Sequence, residues 1–410
     1  MINPGRKDIY ILFTTRIIRL FCYGFLSVIL ALYLIQVGLS EKLIGLLFSL
    51  TLAGDAGISL WLTTSADRFG RKRTLIAGAL LMVGAGVVFI FTRNPVALAA
   101  AAIIGVISPS GNEIGPFLSV EQAALSHLLP GEKRTQIFAW YALAGSLATA
   151  TGALSGGWLA QGLQNNGFSA FNAYRIVLAG YALGGLILIG LFFSISNSVE
   201  VKFTENDQRM LFLGLHRSKS VVMRLSGLFA IDAFAGALLV QSLLAYWFHI
   251  KYGVDTGVLG SIFFGANILA GLSALFAAPI AKRFGLINTM VFTHIPSNIL
   301  LILVPLMPNL PLAIGMLLAR FSISQMDVPT RQSYTMTVVA PDERSAASGV
   351  TTIARSIGAA ISPSLAGWLM SFPFLFSTPF FLSGGLKIVY DILLYKSFRG
   401  FKPLEEGGSR

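Results

Sequence analysis

The sequence predicts an all-α membrane protein of twelve transmembrane helices, arranged as two parallel six-helix halves. Three observations carry that prediction. The 410 residues are 55% hydrophobic and only 12% charged, against roughly 25% charged in a soluble domain. Twelve apolar segments of about 20 residues or more each match a hydrocarbon core of roughly 30 Å. Four short motifs also recur in the same order, offset by 210–215 positions.

The apolar segments lie at 9–36, 41–66, 74–92, 95–125, 135–159, 173–194, 221–249, 256–281, 287–306, 312–339, 346–370 and 374–395. With the N-terminus taken as cytosolic, twenty of the 30 lysines and arginines fall on that side, against Lys42, Arg93, Arg175 and Lys251 on the other. This is a positive-inside distribution. It makes the net charge of +12 a determinant of orientation and removes nucleic acid as an expected partner. The first segment has no small-residue cleavage site and is too long for a signal peptide, so it is expected to remain as a membrane helix. The expected location is the cell membrane, multi-pass, with both termini cytosolic. The single cysteine, Cys22, allows no internal disulfide. The four histidines have no helical-spacing partners, so neither a metal site nor a cofactor is expected. There is no glycine-rich phosphate loop with a lysine and no nucleophile–histidine pairing, which argues against an enzyme or an ATP-driven pump.

The repeat fixes the organisation. "GLSEKLIG" at 38–45 returns as "GVDTGVLG" at 253–260, and "ADRFG" at 66–70 as "AKRFG" at 281–285. "PGEKR" at 130–134 corresponds to "PDERS" at 341–345, and "GALSGGWL" at 152–159 to "SPSLAGWL" at 362–369. Because six is even, both halves enter the membrane from the same side. The expected division is a bundle at 1–194, a polar cytosolic linker at 195–220 and a second bundle with a short tail at 221–410. Transporters built on such repeats hold substrate near the membrane midplane.

The stretch "SADRFGRKR" at 65–73 concentrates five charges in nine positions. It resembles the signature that follows the second helix in the major facilitator superfamily, and the "AKRFG" copy after helix 8 is similar to what that family shows. The resemblance spans essentially the whole chain and implies an alternating-access carrier. It assigns Asp67, Arg68, Gly70, Arg71 and Lys72 to a cytosolic gate, with Asp67 meeting the N-terminus of helix 11 near Ser345. The plainer reading of the same cluster is a basic loop that sets orientation and binds anionic lipid. Thr63 stands where the family has its first glycine. In helix 5, Ala153 replaces the proline of the family's antiporter signature, whose glycines are matched by Gly152, Gly156 and Gly157.

Ionisable groups inside membrane spans mark pathways or proton relays. Asp55 and Glu113 have no basic residue within one turn of their own helices, which makes them the expected proton-coupling groups. Asn112 and the segment "GNEIGPF" at 111–117 combine a GxxxG packing spacing with the helix-disrupting Pro116. Arg19 and Asp232 lie at equivalent depths in the two halves, although Arg16 and Arg19 also suit a snorkelling helix end. Asp327 and Arg331 are spaced i, i+4 around Pro329, Arg320 lies about two turns into the same helix from the outer side and Arg355 about three turns into helix 11, while Lys387 and Asp391 suit a peripheral pair. The expectation is a secondary active transporter, proton-coupled and exporting a small organic, drug-like compound. The alternative is transport of a small anionic solute organised around Arg19, Arg320, Arg331 and Arg355. Expected partners are the solute, protons and membrane lipids, with one chain sufficient for a complete pathway.

Overall fold

The computed structural model describes residues 4–113, 117–129, 131–196, 199–200, 217–340 and 343–400, and every described element is helical. Side chains at 4–6, 62–68, 131–136 and 345 lie outside the description, and so does most of the expected linker, at 201–216.

Sixteen α-helices make up the expected twelve spans. The first span is α1 (Pro4–Ser27) followed by α2 (Leu30–Val37); α3 (Glu41–Phe69) and α4 (Arg71–Phe91) follow unbroken. The fourth span is divided into α5 (Pro95–Ile104) and α6 (Phe117–Leu128). After it come α7 (Gly131–Asn165) and α8 (Ala170–Phe193). The second half repeats the pattern. Its first span is α9 (Lys219–Ala237) with α10 (Gln241–Tyr252), followed by α11 (Thr256–Phe284) and α12 (Leu286–Leu303). The divided span α13 (Leu310–Phe321) and α14 (Asp327–Val338) leads to α15 (Arg344–Met370) and α16 (Thr378–Phe398).

Among the described residues, eight helical stretches are long and apolar enough to cross a membrane. Of the four remaining spans two are divided, while α15 and α16 carry polar and charged residues within the span, Arg355 in one and Lys387 with Asp391 in the other. The two divisions are physical features that hydropathy does not register. Residues 105–113 leave the helix, so Glu113 is not mid-helix as expected. Gly111 adopts φ +70° there instead of forming a helical GxxxG groove, and Gly115 and Pro116 lie outside the described residues. Pro329 does not bend a continuous helix either. It sits in the first turn of α14, where a missing N–H costs nothing.

The repeat is visible in backbone detail. Gly38 and Gly253 both end helices in the left-handed region, at φ 101° and 65°. Gly70 and Gly285 both precede helices, at φ 95° and 86°, a conformation that a side chain would strain. Asn94 and Asn309 both cap the N-termini of divided spans, their side chains accepting from Val96 N–H at 2.9 Å and Leu312 N–H at 3.1 Å.

Contacts group the chain into two compact units. One is Met1–Asp207 with Val240–Asn267; the other is Gln208–Leu239 with Ile268–Arg410. In the first, α1 packs closely on α7: a Cβ at Gly152 or Gly156 would overlap the carbonyl oxygens of Phe21 and Phe25, and one at Gly24 that of Thr149. The same unit ties Val240–Asn267 to its other helices. Gln241 donates to Ser27 Oγ at 2.7 Å, Ser242 Oγ to Pro109 O at 2.7 Å, and Tyr246 Oη to Glu41 at 2.7 Å. In the second unit α9 packs on α15, with Gly358 against the Ala230 carbonyl and Ser362 Oγ donating to Phe234 O at 2.5 Å.

Candidate functional site

Each unit buries a cluster of charges, and the two clusters differ in kind. In the first unit, Arg19 on α1 is fully buried. Its Nη1 and Nη2 donate to the two carboxylate oxygens of Glu121 on α6, at 2.8 and 2.7 Å, and its Nε donates to Glu113 at 2.7 Å. Arg16, one turn earlier, donates to the other oxygen of Glu113 at 2.8 Å and to the Tyr141 carbonyl at 2.9 Å. Thr15 Oγ1 (3.1 Å) and the Tyr141 hydroxyl also donate to Glu121, and Arg19 lies 4.5 Å over the Phe117 ring. Two guanidinium groups meet two carboxylates, charge for charge, with water excluded. This is a clamp between α1 and α6.

In the second unit the centre is an acid. Asp232 on α9 is 3% exposed. Its Oδ1 accepts from Lys387 Nζ at 3.0 Å. Its Oδ2 accepts from Arg331 Nη1 at 2.9 Å and Arg355 Nη1 at 3.1 Å. Arg331 Nη1 also reaches Asp327 at 2.9 Å. Asp391 is held separately, by His294 Nδ1 at 2.9 Å and Asn298 Nδ2 at 3.2 Å. Arg320 lies 4.9 Å over the Phe321 ring, with its Nε buried and without a hydrogen-bond partner among the described residues.

This second cluster reaches open space. A cavity of about 600 Å³ within the unit is lined by Arg331, Arg344 and Arg355, together with hydroxyls such as Thr335, Ser348 and Thr352. Among the described residues, none that lines it is an aspartate or glutamate. Arg355 opens onto it, its side chain 34% exposed against 8% for Arg331. The lining therefore offers positive charge and hydrogen-bond donors to whatever enters.

The sequence profile of the Major Facilitator Superfamily matches residues 12–363 and 251–406. The chain belongs to the major facilitator superfamily. It is 30% identical over 425 residues to a Saccharomyces cerevisiae protein described as "Uncharacterized membrane protein YJR124C", covering 96% of this chain and 94% of that one. Among solved structures, a bacterial homologue of the human lysosomal transporter Spinster shares the fold at TM-score 0.75 and 16% identity, covering 97% and 98% of the two chains. The nucleoside transporter NupG does so at TM-score 0.75 and 14% identity, covering 96% and 99%. Superfamily membership makes this a multi-pass membrane transporter and not an enzyme.

In the loop expected from sequence to act as a gate, the side chains of Asp67 and Arg68 lie outside the described residues. The rest of the loop is engaged within the first unit. Glu200 accepts from the N–H groups of Arg71 and Lys72 at 2.8 and 3.0 Å, placing a carboxylate at the positive N-terminus of α4. Lys72 Nζ donates to the Phe193 and Ile195 carbonyls at the end of α8, both at 2.8 Å. The second unit has an analogue, Glu343, which accepts from Arg217 and Ser218 N–H at 2.7 and 2.8 Å before α9.

Several expectations change. Glu113 is not a carboxylate without a cation, because its partners come from α1, a different helix. Arg16 and Arg19 do not snorkel. Lys387 and Asp391 are not a peripheral pair: each is buried and bound to a different residue. Asp55 accepts from Ser59 at 3.1 Å on its own helix. Asn112 is exposed beside the break after α5. Asp232, Asp327, Arg331 and Arg355 come together in the second unit. Sequence reasoning missed Glu121 and His294. The repeat held a signal for the first, since Glu121 and Arg331 stand 210 positions apart, on α6 and α14; His294 had none.

Proposed function

We propose that this superfamily member carries a small organic anion by alternating access, binding it in the cavity of the second unit. One observation carries the reading: among the described residues, three arginines and a set of hydroxyls line that cavity with no carboxylate among them. An anion entering a site of reduced dielectric gains from each guanidinium and can be held by a planar, bidentate fork. A lipophilic cation would meet like charge there. Proton-coupled export of a small organic, drug-like compound, the first expectation from sequence, leaned on Asp55 and Glu113, and the charge of Glu113 is already matched by Arg16 and Arg19.

Arg355 is the residue assigned to the anion, because its side chain is 34% exposed against 8% for Arg331. Arg331 stays tied to Asp327 and forms the fixed wall. Transport of labelled carboxylates and sulfonates into vesicles containing the protein tests the reading. Arg355→Gln is expected to lower transport about tenfold or more, the usual scale for removing one partner of a desolvated charge pair. If accumulation of a fluorescent lipophilic cation responds to expression while anions do not, the proposal is wrong.

A further inference from the structure

We infer that the anion taken into this cavity is polyhydroxylated: a sugar-sized molecule with an anionic group and several O–H donors, such as a sugar acid or a sugar phosphate. This narrows the proposed function and rests on it. Sites for small organic molecules are lined mainly by apolar side chains, with a few polar groups that fix orientation. Here the proportions are reversed. Among the described residues, the three arginines are joined by six that carry hydroxyls and by Gln332, against Phe229, Pro329 and Met336 as apolar lining. The Phe229 ring itself lies under the Arg331 guanidinium, at 5.5 Å. An aromatic or alkyl anion would strip water from these polar groups and return no hydrogen bond to them.

The hydroxyls decide what the ligand must bring. Thr335 Oγ1 donates to the Arg331 carbonyl at 2.9 Å, Thr337 Oγ1 to the Tyr334 carbonyl at 2.8 Å and Thr351 Oγ1 to the Ala347 carbonyl at 2.8 Å. With its proton committed to the backbone, a hydroxyl keeps only acceptor lone pairs for a ligand, whereas a guanidinium has only donors. The lining therefore suits negative charge at the arginines and O–H donors at the threonines. An inorganic anion or an unsubstituted carboxylate supplies acceptors alone and matches the arginines only.

Spacing on α15 orders the groups. Thr352 and Ser348 precede Arg355 by three and seven residues, which places all three on one helix face. They stand about 4.5 and 10 Å from it along the axis. Both are exposed and both line the cavity. Arg355 uses Nη1 for Asp232 at 3.1 Å, but a guanidinium has five N–H donors, so an anion need not displace that contact. With its charge at Arg355, a six-carbon sugar can run past Thr352 towards Ser348.

The test is calorimetric titration of the purified full chain with glucuronate, glucose-6-phosphate, glucose and benzoate. Benzoate carries a carboxylate on a six-membered ring without hydroxyls, and glucose carries the hydroxyls without the charge. At least one sugar anion is expected to bind more tightly than benzoate and than glucose, by about tenfold or more. Comparison of the two sugar anions then identifies the anionic group as carboxylate or phosphate. Thr352→Val and Ser348→Ala, both at exposed positions, are each expected to reduce the preference over benzoate about threefold or more, the scale of one hydrogen bond. Benzoate binding within about tenfold of both sugar anions overturns this inference and leaves the anion reading standing. A preference that neither variant reduces also overturns it. If glucose comes within the same factor, or if nothing binds, the anion reading itself falls and takes this one with it.

Discussion

The two buried clusters use the same pair of positions with the charges exchanged. In the first unit the base is on the first span and the acid on the divided one, as Arg19 and Glu121. In the second unit the acid is on the first span and the base on the divided one, as Asp232 and Arg331. Either order joins the same two helices, so a static clamp does not depend on sign. The clusters differ in water access: Arg19 and Glu121 are both fully buried, whereas Arg355 opens onto the cavity. Glu121→Gln would leave Arg19 with only Glu113 for charge balance. Breaking a buried pair from one side costs roughly 3–5 kcal/mol. Thermal unfolding in detergent is therefore expected to show a large loss for Glu121→Gln, partly restored by adding Arg19→Gln. Arg355→Gln, on a partly exposed arm, is expected to lose far less stability while losing transport. Equal losses for the two variants would contradict this division of labour.

At the scale of elements, the close approach of α1 to α7 is set by glycine. Gly152→Leu or Gly156→Leu drives a side chain into backbone carbonyls of α1 and is expected to abolish folded yield. Gly162 has nothing within 4 Å of its Cβ position, and Gly162→Ala is expected to be neutral or to stabilise by up to about 1 kcal/mol through helix propensity. Size-exclusion profiles of the three variants decide this. The same elements show what was legible in advance. The ends of the twelve spans follow hydropathy to within a few residues, because lipid demands an apolar stretch of fixed length whatever its neighbours. The breaks at 105–113 and 322–326 do not follow hydropathy, since unpaired backbone groups there are satisfied by tertiary partners: Pro109 O, for instance, accepts from the Ser242 N–H at 3.0 Å. The pairing of Glu113 was hidden for the same reason. A helical-spacing test sees partners one turn away on one helix, and Arg16 and Arg19 stand about a hundred positions earlier. Asp232, Arg331 and Arg355 were legible as candidates because charge inside an apolar span is rare enough to need a reason. What each of them touches was not.

For the whole molecule, charge placement makes a prediction about sidedness. Six of the 30 lysines and arginines lie well inside the apolar segments of the sequence, seven or more residues from either end. The six are Arg16, Arg19, Arg320, Arg331, Arg355 and Lys387, and five of these are bound to carboxylates within the two clusters. The expected orientation therefore rests on the remaining charges, which predict that both termini and the start of α15 are cytosolic. Ser348 is exposed near that start and lines the arginine cavity. Cys22, the single cysteine, is 4% exposed, so the native chain contributes little background to thiol labelling. Ser348→Cys is expected to react with a membrane-impermeant maleimide in inside-out vesicles much faster than in right-side-out ones. Benzoate should slow that reaction if the anion occupies the cavity. Faster labelling of right-side-out vesicles would reverse the orientation. It would leave the chemistry of the cavity intact and change which face of the membrane it serves.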